Sequence, residues 1–310
     1  ESGYASVDAV YRDLDAAVAR HVARGTGQLQ AVYAYEDGAL ESFRAAERRG
    51  VARIYDLPIA HWRTLRRLLS EEAERRPDWA CTMEGLRDSD EKLARKDEEI
   101  SRAERIVVAS SFTRDSLREA PELTAPIDVV PYGCPEPRVS HPARRAVGAP
   151  LHLFYAGHLA QRKGMSDLID SLSLLEIDWR LTIAGPLPSG VPEALSHFLK
   201  DPRVDWRGAV AHATLMELMP EAHAFVFPSI VEGFAMVVTE AMAAGVPPIT
   251  TPHTCGPDLL QDAVDGYIVP IRDPAAIADR ITRLYDNEEA RFAMAEKALT
   301  RAREMSWSVY

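Results

Sequence analysis

The stretch "HAFVFPSIVEGFAMVVTEAMAAGVPPITT" (223–251) reads as strand, loop, helix, turn and strand in immediate succession. "HAFVFPS" and "VPPITT" are short apolar, β-prone runs, and the segment between them is rich in Ala, Met and Val and ends at Gly245. A βαβ unit of this kind is the building block of a parallel sheet. Within it, Glu232 and Glu240 bracket a glycine and an apolar run, and no basic residue neighbours either of them in the stretch. A charge at the entrance of an otherwise apolar helix, and another further in, calls for a partner from elsewhere.

The same alternation extends in both directions. "LHLFYAG" (151–157), "WRLTIAG" (179–185), "RVDWRG" (203–208) and "GYIVP" (266–270) complete a second set of strands, and helical patterns lie between them. In the first half, "AVYAY" (31–35), "VARIYDL" (51–57), "RIVVAS" (105–110) and "IDVVPYG" (127–133) read as strands, with a helix over 38–49 closed by Gly50. "CPEPRVSHPARRAVGAP" (134–150) is proline-rich and aperiodic, the character of a linker. The expected architecture is α/β: two Rossmann-like, doubly wound domains facing across a cleft. The boundaries are 1–135 for an N-terminal, acceptor-side domain, 136–150 for the linker and 151–310 for the C-terminal domain. Because the chain opens on a helix rather than on a buried strand with a glycine turn, the first domain is expected to be incomplete at its N-terminus.

Composition narrows the function. With 310 residues, 36 Lys plus Arg and 47 Asp plus Glu, the net charge is −11. That balance disfavours broad nucleic-acid binding, which needs a basic field. Cys81, Cys134 and Cys255 are scattered without metal-site or disulfide spacing, which fits a reducing cytoplasm. No run approaches the length of a membrane span. No GxGxxG opens a βαβ unit, which argues against a dehydrogenase, and "AGPLPSG" (184–190) reads as a plain turn.

In open parallel sheets ligands bind beyond the carboxyl ends of strands. "EGFA" (232–235) is expected to form the loop and first helical turn there. Free amides at a helix start, with a dipole worth roughly half a charge, favour a phosphate. Gly233 lets the backbone approach a ligand, and a carboxylate accepts hydrogen bonds from paired hydroxyls. Following 151–157, Arg162, Lys163 and Gly164 form a polar turn before a helix, where two cations can neutralise a diphosphate.

"GHLAQRKG", "FPSIVEGFAMVVTEAMAAGVPPITT" and "DGYIVPIRDPAAIADRI" resemble the C-terminal domain of glycosyltransferase family 4, the retaining group-1 transferases with the GT-B fold. The resemblance is good over about 105–308 and weak before that. It implies transfer of a hexose from a nucleotide-sugar donor, with no cofactor and no metal. The acceptor, a sugar, lipid or small molecule, is left unidentified, with peripheral membrane contact open and not favoured. By resemblance Glu232 contacts donor-sugar hydroxyls and Glu240 the ribose. The backbone of Phe234, Ala235 and Met236 faces the sugar and phosphates, Lys163 holds the diphosphate, and Val210 presents backbone groups to the nucleobase. Gly157 and His158 open the donor loop. His158 stands where the family usually has arginine, and Arg162 is expected to supply that charge. The family also tends to continue past "MSWSVY", so activity of these 310 residues alone is less secure than their ancestry. Loss of Lys163 or Glu232 is expected to cripple turnover and leave the fold intact.

Elsewhere the readings stay open. Asp56 accepts from a substrate hydroxyl or caps the turn before Pro58. Glu36 and Asp37 are possible acceptor contacts, and His61 reads as a core or surface residue. Ser110 and Ser111 read as helix caps. "DSD" (88–90) has the form of a metal-binding motif but the position of a cap. "HWRTLRRLLSEEAERR" (61–76) is a core-facing helix or an interfacial one. An epimerase, a phosphorylase or a non-catalytic nucleotide-sugar-binding module are the functional alternatives.

Overall fold

The computed structural model describes residues 6–310 except 26, 122 and 138, the last of which falls in the expected linker. The chain divides into two compact units, one of Glu1–Arg66 with Gly85–Val130 and one of Arg67–Glu84 with Pro131–Tyr310. The sequence expectation placed all of 1–135 in the first domain. The difference lies in a segment, Arg67–Glu84, whose contacts are with the later chain.

The first unit holds α1 (Val7–Arg24), β1 (Ala31–Tyr35), α2 (Leu40–Glu47), β2 (Ala52–Leu57), the start of α3 (Trp62–Arg75), α4 (Asp90–Ser101), β3 (Arg105–Val108), α5 (Ser111–Ser116) and β4 (Ile127–Val129). Its four strands are parallel and lie in the order β1-β2-β3-β4. Phe43, Tyr55, Leu57, Ile106 and Val108 form its core and are 1% exposed or less. Burial of this kind stabilises by about 25 cal/mol per Å² of apolar surface.

The second unit holds β5 (Leu151–Ala156), α6 (Met165–Ser173), β6 (Trp179–Ala184), α7 (Glu193–Phe198), β7 (Val204–Trp206), α8 (His212–Leu218) and β8 (Ala224–Phe227). It continues with α9 (Met236–Ala243), β9 (Pro248–Thr250), α10 (Gly256–Leu259), β10 (Tyr267–Ile268), α11 (Pro274–Asp286) and α12 (Glu288–Glu304). The six strands are parallel in the order β10-β9-β8-β5-β6-β7. Every residue of β5 and β8 is buried, as a parallel strand covered on both faces requires. The chain starts at β5, builds outward through β6 and β7, then returns to the other side of β5 as β8. The strand order therefore reverses between β5 and β8, which is where open α/β sheets bind ligands.

Three local expectations are resolved here. Ser89 caps α4 through a 3.3 Å bond from the Lys92 amide, so "DSD" is a helix start. Ser110 likewise caps α5. Leu68 and Leu69 of α3 are buried and Trp62 and Leu65 half-buried, so that face packs at least partly inward, as a core-facing helix does. Among the described residues no helix is long and apolar enough to cross a membrane.

Candidate functional site

Two loops leave the sheet at the reversal point, Gly157–Gly164 after β5 and Pro228–Ala235 after β8. Backbone contacts lock them together. The Ile230 amide donates to the Arg162 carbonyl at 2.9 Å, and Ser229 Oγ reaches the same carbonyl at 3.0 Å. Gly164 has φ +72°, and a Cβ there would stand 2.0 Å from the Pro228 carbonyl oxygen. Only glycine permits both the backbone conformation and the approach.

This interlock brings Arg162, Lys163 and Glu232 to one point. Lys163 Nζ donates to Glu232 Oε1, Arg162 Nη1 lies 3.3 Å from the same oxygen, and Ser229 Oγ lies 2.9 Å from it. Arg162 Nη1 also donates to the Val231 carbonyl at 3.0 Å. The Glu232 side chain is 8% exposed, Lys163 14% and Arg162 28%. Burial by itself would raise the Glu232 carboxyl, but the two cations and Ser229 together outweigh it and hold it below the usual carboxylate range. For Lys163 burial dominates and lowers the ammonium, against the pull of Glu232. Two cations face one carboxylate, so the cluster carries one positive charge in excess.

That pairing corrects one expectation. Removing Glu232 would leave two partly buried cations without their shared counter-charge, a loss worth roughly 3 kcal/mol or more. Glu232→Ala is therefore expected to cost stability as well as function. A second correction concerns the helix. "EGFA" lies wholly in the loop, and α9 begins at Met236, which puts Glu240 one turn into the helix.

Ala235, the residue before α9, has φ +74°, and no side chain among the described residues caps the helix. The Phe234 ring packs edge-on to Tyr132 at 5.1 Å, and its carbonyl accepts from the Cys255 amide. Met236 is exposed and Gly233 buried.

Glu240, 9% exposed, has Oε1 2.9 Å from Nε2 of His212 at the start of α8. The "RGAV" turn carrying Val210 is tied to the end of β6 by a 2.7 Å bond from the Gly185 amide to the Gly208 carbonyl. A Cβ on Gly185 would stand 1.8 Å from the Gly157 carbonyl oxygen. The turn at 184–190 is thus part of the loop cluster. His158 joins it, with Nε2 3.1 Å from the Leu187 carbonyl, while Arg162 supplies the charge beside Glu232.

Sequence reasoning missed four supports: Ser229 on Glu232, His212 on Glu240, Thr251 Oγ1 donating to the Ser229 carbonyl at 2.7 Å, and the His253 carbonyl accepting from the Glu232 amide at 3.1 Å. Ser229 lies inside the quoted motif and was legible there. The others depend on which loops meet.

In the first unit, Asp56 is 3% exposed at the end of β2 and accepts from the Tyr33 hydroxyl at 2.5 Å. It is a strand residue, which removes the capping alternative. Burial raises its carboxyl above the ordinary range. Glu36 is paired to Lys96 at 2.9 Å, and His61 is buried in the core. Among the described residues no group of three or more His, Cys, Asp or Glu side chains is placed to hold a metal ion.

A switch-point loop pair with partly buried cations and a glycine-tight turn marks the second unit as a doubly wound α/β unit with a charged loop cluster, and comparison with known proteins makes its class specific. Residues 140–301 match the family described as glycosyl transferases group 1, and the chain belongs to that family. It is 30% identical over 195 residues to D-inositol 3-phosphate glycosyltransferase of Corynebacterium efficiens, covering 58% of this chain and 46% of the relative. It is 26% identical over 178 residues to the putative colanic acid biosynthesis glycosyltransferase WcaL of Salmonella typhimurium, covering 54% and 43%. The chain thus spans about half the length of these curated relatives. Among solved structures, sucrose-phosphate synthase of Thermosynechococcus elongatus superposes with TM-score 0.73 at 17% identity, over 99% of this chain and 77% of that one. HepE of Anabaena in complex with UDP and glucose superposes with TM-score 0.71 at 17% identity, over 96% and 78%. The shared fold is GT-B.

Proposed function

We propose that the second unit binds a nucleoside-diphosphate hexose, with UDP as the nucleotide, and that the chain transfers the hexose to a hydroxyl acceptor with retained anomeric configuration. The carrying observation is the convergence of Arg162, Lys163 and Glu232 where the sheet order reverses. UDP is chosen because HepE, of the same fold, is described in complex with UDP and with UDP-glucose. The curated relatives' names differ, one referring to D-inositol 3-phosphate and the other to colanic acid biosynthesis, so no acceptor is singled out.

Breaking the anomeric C–O bond puts negative charge on the leaving diphosphate oxygen. Preorganised charge at that oxygen lowers the barrier without reorganisation, and this is commonly the largest catalytic contribution. Arg162 and Lys163 supply the charge, and the uncapped start of α9 adds amide donors. Glu232, held ionised by both cations, orients them and accepts from sugar hydroxyls. Glu240 exchanges its His212 contact for the ribose diol, and the turn at Val210 meets the base. With side-chain cations meeting the phosphate charge, activity is expected to survive EDTA.

The test is UDP binding by calorimetry, followed by turnover of UDP-hexoses. Lys163→Ala should lower turnover about 100- to 1,000-fold and retain the wild-type circular dichroism. Wild-type turnover in that variant, or absence of UDP binding to the parent chain, would overturn the reading.

A further inference from the structure

Gln161 precedes the two cations and is 0% exposed. Its polar groups are engaged all round. The backbone amide donates to Thr82 Oγ1 at 3.0 Å, and Nε2 donates to Glu72 Oε1 at 2.7 Å and to Asp167 Oδ2 at 3.0 Å. Oε1 accepts from the Ser166 amide at 2.9 Å. Two of these partners, Thr82 and Glu72, come from Arg67–Glu84, about 80 to 90 residues earlier in the chain. That is the segment whose contacts place it in the second unit.

The surroundings are equally constrained. Glu72 and Asp167 are both 0% exposed. Arg75 Nη2 donates to both, at 2.7 Å each, and Arg272 Nε donates to the second oxygen of Glu72 at 2.7 Å. Arg272 Nη2 also reaches the Leu68 carbonyl of α3 at 3.0 Å. Glu71, bridged by Arg272 and Arg67 at 3.0 and 3.1 Å, extends the network, and its three carboxylates and three guanidinium groups leave it neutral. It sets geometry without adding a field that would oppose or mimic the positive excess at Arg162, Lys163 and Glu232. Thr82 is itself fixed, its hydroxyl donating to the Trp79 carbonyl at 2.8 Å. With its hydrogen committed to Trp79, the hydroxyl oxygen accepts from the Gln161 amide through a lone pair.

We propose that Arg67–Glu84 is a brace for the cationic loop, with Thr82 and Glu72 as positioning residues that fix Gln161 and, through it, the direction of Arg162 and Lys163. The opposite side of the loop is held by Ile230 and Ser229, so the cations are clamped between a segment from the first half of the chain and the loop after β8. Without the brace the loop keeps its β8 contacts but loses the acceptor for a buried amide. A buried donor left unpaired is released by local movement. The proposal rests on the donor reading for its ligand and not for its geometry.

The experiment compares Thr82→Val, which keeps the shape and removes the acceptor, with Thr82→Ser, which keeps the acceptor. UDP affinity is measured by calorimetry well below the melting temperature. Hydrogen exchange of the amides of Gln161–Gly164 is measured without ligand. Thr82→Val should weaken UDP about tenfold and speed exchange in that loop about tenfold, with β5 amides unchanged. Thr82→Ser should restore both to within about twofold of the parent. If Thr82→Val does not fold, Thr82→Ala replaces it in both measurements. If the parent chain does not bind UDP, the donor reading fails and the exchange arm still decides the brace. Unchanged loop exchange in the acceptor-less variant, or equal effects from Val and Ser, would overturn the brace itself.

Discussion

Ala235 stands at φ +74°, a left-handed conformation in which an L-residue's Cβ crowds the following carbonyl at a cost of roughly 1–2 kcal/mol. Glycine removes that crowding but loses more freedom on folding, roughly 0.5–1 kcal/mol. Ala235→Gly is therefore expected to be neutral to stabilising by up to about 1 kcal/mol, read as a rise in urea midpoint. A clear drop would show that the Ala235 methyl packs usefully. Gly164→Ala is the opposite case, because the added Cβ meets the Pro228 carbonyl at 2.0 Å and one loop must move. At this scale the sequence was informative about chemistry. Glu232, Lys163 and Arg162 were all legible as candidate site residues, and the structure brings them together. Their ion pairing was not, because a separation of 69 positions between Lys163 and Glu232 hides a direct contact.

At the scale of elements, α2 shows how much of a helix lies outside its own sequence. Ala39 at its N-cap has no capping side chain. Instead Glu99 of α4 accepts from the amides of Asp37, Ala39 and Leu40 at 2.8, 3.2 and 3.3 Å, and Asp15 of α1 accepts from those of Glu41 and Ser42 at 2.8 Å each. Burial pushes the Glu99 carboxyl up to about 7, and burial of His61 pushes its imidazole down to about 4. Between about pH 4.5 and 6.5 the folded chain thus keeps a proton on Glu99 that the unfolded chain has released. Over the same window the unfolded chain keeps one on His61 that the folded chain excludes. The two contributions oppose each other. Glu99→Gln removes the first, so the variant's stability, relative to the parent, should rise with pH by up to about 1.4 kcal/mol per pH unit in that window. Urea midpoints at several pH values would check it, and parallel profiles for both proteins would contradict it. Neither cap was visible in sequence, since both come from helices 26 to 62 residues away.

For the whole molecule, a net charge of −11 makes the positive cluster at the β5 and β8 loops a local reversal of the general field. UDP that binds there and not to the unfolded chain should stabilise it by about 2.7 kcal/mol at a concentration 100 times its Kd. Protection from hydrogen exchange should fall on the loops Gly157–Gly164 and Ser229–Ala235 and the start of α9. Stabilisation without protection of those segments would place the ligand elsewhere. The strand positions and the α/β class were readable because apolar periodicity is a local property. The return of Arg67–Glu84 to the second unit was not, because no local pattern records which partner buries an amphipathic segment.

From residues alone came the alternation of strands and helices, the two-glutamate stretch, the cationic turn and the resemblance that named the family. Each is carried by neighbours in sequence, where spacing and side-chain type are sufficient. The tertiary structure decided which charges meet, that Glu232 is a counter-ion as well as a candidate sugar contact, where α9 begins, and which distant segment holds the cationic loop. Those outcomes depend on the reversal of strand order at β5 and β8 and on close backbone approach at Gly164 and Gly185. Both are set by packing between parts of the chain far apart in sequence.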